Sequence, residues 1–176
     1  MRSVGEPYEQ KLAALPIPAA DGMVAPLVVC RDDAPLHAGY RRNQEGDYPM
    51  QVVDLAHQPK EEWRPGVITQ MHVSAQNGAG QLCVFEQWCE PGHGAPTHLH
   101  AVEEILHVFE GQAEVWIDET RMTLTPGQLV VVPAGRKHGF SNTGNTVLRI
   151  QSTLAAPVFE AAYDDKRETP RRYLPG

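Results

Sequence analysis

The sequence predicts an all-β fold, and two observations carry that expectation. Short apolar or alternating runs recur from Val67 to Thr153, each bounded by Gly, Pro, Asn or Asp. Short strands at regular spacing with turn signals between them indicate a sandwich or barrel. The 176-residue chain also carries 15 Gly and 15 Pro, a turn-rich balance that leans the same way.

The elements follow in order. Val67–Ser74 reads as a strand, Asn77–Gly80 as a turn and Gln81–Glu90 as a second strand. Thr97–His100 and Glu104–Glu110 are further strands, the latter stopped by Gly111. Ala113–Asp118 and Arg121–Thr125 flank a short turn and make a hairpin. Leu129–Val132 is an apolar run ended by Pro133, and His138–Ser141 and Val147–Thr153 bracket a turn containing Gly144. Residues 66–155 are therefore read as the barrel. Residues 1–65 lack sustained periodicity and read as an irregular arm, because eight of the 15 prolines fall within residues 1–66. A short helix at Glu6–Leu15 and a short strand at Leu27–Cys30 are the elements expected there. Residues 156–176 read as a polar tail, with the charged run Asp164–Glu168 a solvated helix or loop.

Composition narrows the function classes. Lys plus Arg is 15 against 22 Asp plus Glu, a net charge of −7, and phosphate backbones need clustered cations instead. No nucleic-acid partner is expected. No apolar run approaches the roughly 18 residues that span a bilayer, so no membrane partner is expected either. The start, MRSVGEPYEQ, has no apolar core of a secretory signal. Three cysteines, Cys30, Cys83 and Cys89, are too few and odd in number for a disulfide framework and read as buried fillers. These features predict a soluble cytoplasmic protein.

Eight histidines stand out, and two stretches organise three of them. In GHGAPTHLHAVEEILHVFEG, residues 92–111, His98 and His100 are two apart, so on a strand both point to one face. Glu104 opens the next strand and brings a carboxylate within reach of the same place. Taken alone, such a pair is equally well two exposed polar positions. In GQLVVVPAGRKHGFSN, residues 127–142, an apolar strand runs into Pro133, turns at Gly135 and delivers His138. Alone, that histidine reads as a surface residue.

Together the stretches are specific. Gly92, His98, His100, Glu104 and Gly111, then Gly127, Pro133, Gly135, His138 and Asn142, stand at the spacings of the two motifs of the cupin superfamily, with 15 residues between them. The chain resembles that superfamily over residues 66–155. The resemblance implies a small double-stranded β-helix, or jelly-roll, barrel. It also implies one divalent metal ion bound by His98, His100, Glu104 and His138. Three imidazole nitrogens and one carboxylate oxygen suit Fe, Mn, Ni, Cu or Zn. An octahedral ion would keep two positions open.

The function expected from the resemblance is a dioxygenase-type oxidoreductase acting on a small oxygen-rich or aromatic compound. Glu104 would serve as a ligand and as a candidate general base. A redox-neutral isomerase, lyase, decarboxylase or cyclase is the alternative, and a non-catalytic cupin binding a sugar or other small molecule is another. The expected partners are a small-molecule ligand and a second copy in a homodimer, with the arm crossing between copies.

Other polar residues stay ambiguous. Glu103 and His107 should face away from Glu104, and His93 reads as a loop histidine. Gln70 with His72, Glu86 with Trp88, and Arg149 with Gln151 each share a face whose side, lumen or solvent, alternation does not decide. Cys83, Phe85 and Gln87 take the face opposite Glu86. Phe140 is a candidate apolar wall. His37 and His57 lie in the arm without a nameable partner.

Overall fold

A computed structural model describes residues Met50–Asp164 and Arg171–Tyr173. These fall in the unit Leu36–Gly176. The expected helix Glu6–Leu15, the strand Leu27–Cys30, His37 and most of the charged run 164–168 lie outside the described residues.

Thirteen strands run through the described residues: β1 (Lys60–Arg64), β2 (Val67–Val73), β3 (Cys83–Cys89), β4 (Gly94–Leu99), β5 (Glu104–Glu110), β6 (Ala113–Ile117), β7 (Thr120–Leu124), β8 (Leu129–Val132), β9 (His138–Asn142), β10 (Leu148–Leu154), β11 (Phe159–Glu160), β12 (Ala162–Tyr163) and β13 (Arg171–Arg172). They form a six-stranded sheet ordered β1-β2-β3-β10-β5-β8, a five-stranded sheet ordered β12-β4-β9-β6-β7 and the two-stranded ribbon β11-β13. Every pairing is antiparallel. The fold is all-β with two facing sheets, a jelly-roll barrel as the sequence predicts.

Alternation explains the barrel interior. Val67 on β2, Leu106 and Val108 on β5, Val132 on β8 and Leu148 and Ile150 on β10 point inward from the six-stranded sheet. Ala95, Val115, Leu124 and Phe140 meet them from the five-stranded sheet. Each fully buried aliphatic side chain contributes about 1.5–3 kcal/mol. A second cluster caps one end, where Met71, Cys83, Phe85 and Leu154 meet Phe159 and Ala161, with Trp63, Tyr163 and Tyr173 packed against them. Cys83 and Cys89 are buried free thiols, pushed up to about 12 mainly by burial. They act as fillers.

The expected strands recur with shifted ends. The fourth runs Gly94–Leu99, so His100 sits one residue beyond its end. The last inward strand reaches Leu154, because Leu154 pairs with both Cys83 and Glu104. Two features differ from the sequence reading. β1 lies in the stretch read as irregular arm, yet pairs with β2 as an edge strand, where its flanking Pro59 and Pro65 are tolerated. In the stretch read as polar tail, β11 pairs with β13 and β12 pairs with β4. Those strands are two residues each, too short to leave a periodic signature.

The ambiguous faces resolve. Gln70, His72, Glu86, Trp88, Arg149 and Gln151 stand opposite Thr69, Met71, Phe85, Gln87 and Ile150, which face the barrel interior with the core clusters and the hollow. Glu103 is exposed and His107 stacks on Phe109 outside the barrel, at 4.2 Å. His57 pairs with Asp54 at the surface. Among the described residues, no helix is long and apolar enough to cross a membrane.

Candidate metal centre

Both sheets contribute to one buried polar cluster. His98 lies near the end of β4 and pairs in register with His138, the first residue of β9. Glu104 opens β5 on the facing sheet. His100 follows β4, where the Gly135 amide donates to its carbonyl at 2.8 Å. Gly135 holds a φ of +75°, the left-handed backbone that favours glycine, so this turn places His138 and steadies His100 together. His98, His100, Glu104 and His138 are all buried, and one ligand atom from each lies within 4.8 Å of the others. Such a group could hold a metal ion.

The hydrogen bonds set the tautomers. His98 Nδ1 donates to the Pro96 carbonyl at 2.7 Å, His138 Nδ1 to the Arg136 carbonyl at 2.9 Å, and His100 Nδ1 to the Glu160 carbonyl. A carbonyl only accepts, so each Nδ1 carries the proton and each Nε2 is directed at the cluster. His98 Nε2 lies 3.2 Å from His100 Nε2, and His138 Nε2 lies 2.7 Å from Glu104 Oε2. His100 Nε2 is 3.7 Å from the same oxygen. Two imidazole lone pairs facing each other beside a buried carboxylate repel, and one cation among them satisfies all four groups. The backbone carbonyls supply the outer partners that metal-binding imidazoles require. The donor set therefore fits a divalent transition ion.

The electrostatics run the same way. Burial, reinforced by His138, drives the His98 pKa down to about 3, and burial also lowers that of His100. Both stay neutral and able to donate a lone pair. Burial lowers the His138 pKa too, but the hydrogen bond and charge of Glu104 outweigh it and the net direction is up. Burial pushes Glu104 up, yet the His138 hydrogen bond and the surrounding imidazoles bring it below the ordinary carboxylate value. A proton on His138 and a divalent cation would serve the carboxylate alike.

Around the cluster is a small hollow whose wall includes Trp63, Arg64, Phe85, Gln87, Phe140 and Tyr163. Phe140 and Gln87 were legible as wall candidates, and Gln87 is held by donating to Thr69 Oγ1 at 2.8 Å. Arg64 donates to the Gly94 carbonyl at 3.1 Å and to the Tyr163 hydroxyl at 2.9 Å. Tyr163 lies 5.3 Å from the His98 ring and pairs with His98 across β12 and β4. Sequence reasoning missed Trp63, Arg64, Phe159, Glu160 and Tyr163. These residues lie well outside residues 92–142, and no local signal in the sequence ties them to the cluster. His93 does not join the cluster. Its ring packs on Gly66, where a Cβ would come within 2.6 Å of it.

Comparison with known proteins agrees with this geometry. A cupin domain family model matches residues 85–154. Protein SchB of Streptomyces halstedii is 33% identical over 82 residues, which is 45% of this chain, and the chain spans 59% of SchB. Among solved structures, the polyketide cyclase RemF from Streptomyces resistomycificus aligns with a TM-score of 0.58 at 20% identity, over 69% of this chain and 90% of RemF. An RmlC-like cupin from Shewanella frigidimarina aligns at 0.51 and 24% identity, over 62% and 89% of the two chains. The barrel that holds the His-His-Glu-His cluster has the fold of these cupin structures, and residues 85–154 match the cupin domain model.

Proposed function

We propose that the protein is a metal-dependent enzyme of the cupin superfamily that binds a small oxygen-rich or aromatic compound beside a divalent ion held by His98, His100, Glu104 and His138. The observation that supports this most is the fixing of all three imidazoles, each through its Nδ1 proton on a backbone carbonyl, so that every Nε2 points at one place. When bound, the ion would supply Lewis acidity toward a substrate carboxylate or enolate oxygen and, if redox-active, one-electron chemistry.

The chain's own residues do the rest. His98 and His100, kept neutral by burial, hold their lone pairs in place. Glu104 offsets part of the charge and is the candidate general base at the site. Arg64 presents a guanidinium to the hollow, and among the described residues no carboxylate pairs with it, which suits an anionic oxygen on the ligand. The aromatic walls exclude water. Two copies would associate as a homodimer in the cytoplasm.

Oxygen-dependent turnover is the first reading. The redox-neutral reading stands beside it, because the same buried cluster of three imidazoles and one carboxylate would hold an ion that polarises a carbonyl or stabilises an enolate without any change of oxidation state. Metal analysis followed by turnover under nitrogen, over a panel of flavonols, enols and keto acids, separates them. Activity that stops without oxygen supports the dioxygenase. Equal activity with zinc and iron, unaffected by oxygen, supports an isomerase, lyase, decarboxylase or cyclase. A chain that takes up no metal sinks both.

A further inference from the structure

The hollow beside the cluster is too small for any ring, yet aromatic side chains ring it. Its free space admits about one water molecule. The occupant of the position beside His100 is a side chain of the protein itself. Phe159 is 4% exposed. Its ring lies 4.7 Å from Trp63, 5.5 Å edge-on from Phe85 and 5.7 Å edge-on from His100. Two of these partners come from barrel strands and the third is a candidate metal ligand. A ring surrounded on three sides by rings at these separations is placed as a bound aromatic ligand would be.

The segment that carries Phe159 is held at its ends. Ala155 donates to the Glu103 carbonyl at 3.0 Å, Ala75 donates to the Pro157 carbonyl at 2.7 Å, and Asp164 donates to the Thr97 carbonyl at 3.3 Å. Between those points, β11 pairs with β13 through Phe159↔Arg172 and Glu160↔Arg171, and β12 pairs with β4 through Ala162↔Leu99 and Tyr163↔His98. Short ribbons with few backbone bonds belong to the low-stability end of a fold, where local opening is cheapest. Opening there also releases the Glu160 carbonyl from His100 Nδ1.

We propose that Phe159 is an intramolecular plug, and that the ligand of this site carries a single aromatic ring which displaces Phe159 and stacks against Trp63, Phe85 and His100. This rests on the reading of the hollow as the substrate site, and it narrows that site's substrate class to ring-bearing oxygen compounds. Arg64, on the same wall, faces the anionic end. The plug acts as a competing ligand, so the apparent affinity of any aromatic compound is reduced by the fraction of molecules in which Phe159 is out.

Benzoate and acetate, titrated calorimetrically into the zinc-loaded protein, test this, with hydrogen exchange followed at residues 158–161. In the unaltered protein, benzoate binds and the amides of 158–161 lose protection, whereas acetate leaves them protected. In Phe159→Ala, benzoate binds about tenfold tighter or more, while acetate changes less than about twofold. Should Phe159→Ala fail to fold, Phe159→Leu shows a smaller gain of the same sign. No benzoate binding to the unaltered protein overturns the proposal. Unchanged protection on binding, or an equal gain for acetate, does so too. Benzene added to metal-free protein separates the two readings. Zinc uptake without any exchange response to benzene sinks the plug alone, and an exchange response without zinc uptake sinks the metal enzyme alone.

Discussion

The six-stranded sheet carries a buried histidine–carboxylate cluster on each face, and the two are built differently. On the inner face, Glu104 meets imidazoles whose Nδ1 protons are all engaged by backbone carbonyls. On the outer face, Glu86 is 3% exposed and is gripped by the guanidinium of Arg149, which also reaches Glu110 at 3.1 Å. His72 stands beside it, Nε2 3.5 Å from Glu86 Oε2, and that nitrogen has no hydrogen-bond partner among the described residues. The outer carboxylate already has its permanent cation. The inner one is offered neutral nitrogen lone pairs and a single protonated neighbour, an arrangement that a metal ion completes. Burial of a histidine near a glutamate is common to both faces, and convergence of fixed lone pairs belongs to one.

Substitutions that remove an inner ligand break the contrast most strongly. His98→Ala and Glu104→Gln each lower metal content from about one ion per chain to near zero, read by elemental analysis after dialysis, because three remaining donors hold a labile ion poorly. Glu86→Gln leaves the metal content unchanged. Equal metal loss in all three variants would erase the distinction between the faces.

Arg149→Ala is next in size. It strands the Glu86 carboxylate in a buried position, a change that costs about 3–5 kcal/mol for a fully buried pair. Arg149 itself is 38% exposed, so solvent screening reduces the expected loss to about 2 kcal/mol. Urea denaturation reads it, and metal content stays intact.

The inner face also gives metal-free protein a pH signature. The folded pKa of His98 is about 3, below the ordinary 6.5, and that of His100 is lowered too. Between those values the unfolded chain takes up protons that the folded chain refuses, so stability falls as the pH drops through this window. His138 has the opposite sign, its raised pKa stabilising the fold below the ordinary value and losing that contribution as the pH rises. Melting temperatures of chelator-treated protein should therefore decline from about pH 6.5 downward, less steeply in His98→Gln. A flat profile would contradict the buried neutral imidazole.

The smallest effect is expected at His72. Its orphaned nitrogen makes no bond to lose, so His72→Leu changes stability by less than about 1 kcal/mol and leaves metal content alone. A large loss would mean that the outer cluster depends on this histidine after all.

The inner cluster was legible in the sequence because its residues lie at or beside the ends of β4, β5 and β9, in two short stretches where fixed spacing survives as a motif. The strands themselves were legible from Val67 to Leu154 for the same local reason. What surrounds the cluster was not. Trp63 and Arg64 reach the hollow only through the pairing of β1 with β2, and Tyr163 only through that of β12 with β4. Those contacts are set by tertiary register, which no local pattern encodes. The faces of β2, β3 and β10 were ambiguous because the interior is itself partly polar. Thr69, Gln87 and Ser152 are buried on the inner side, while Gln70 and Glu86 are buried on the outer. Alternation separates two faces, and it names the solvent face only when the other is purely apolar.

The position of β10 has a kinetic consequence. It lies between β3 and β5, pairing Leu154 with Cys83 and Glu104, across 71 and 50 positions of chain. Closure of the sheet that carries Glu104 waits for nearly the last of the barrel strands. Contacts this distant form slowly, because a long stretch of chain must be brought together before any of them is rewarded. During synthesis the histidines of β4 and β9 would therefore emerge before the scaffold that converges them. An ion held by the four residues would then be captured by a finished barrel rather than recruited to nucleate it, and which ion was taken would depend on what the surroundings supply at that late moment.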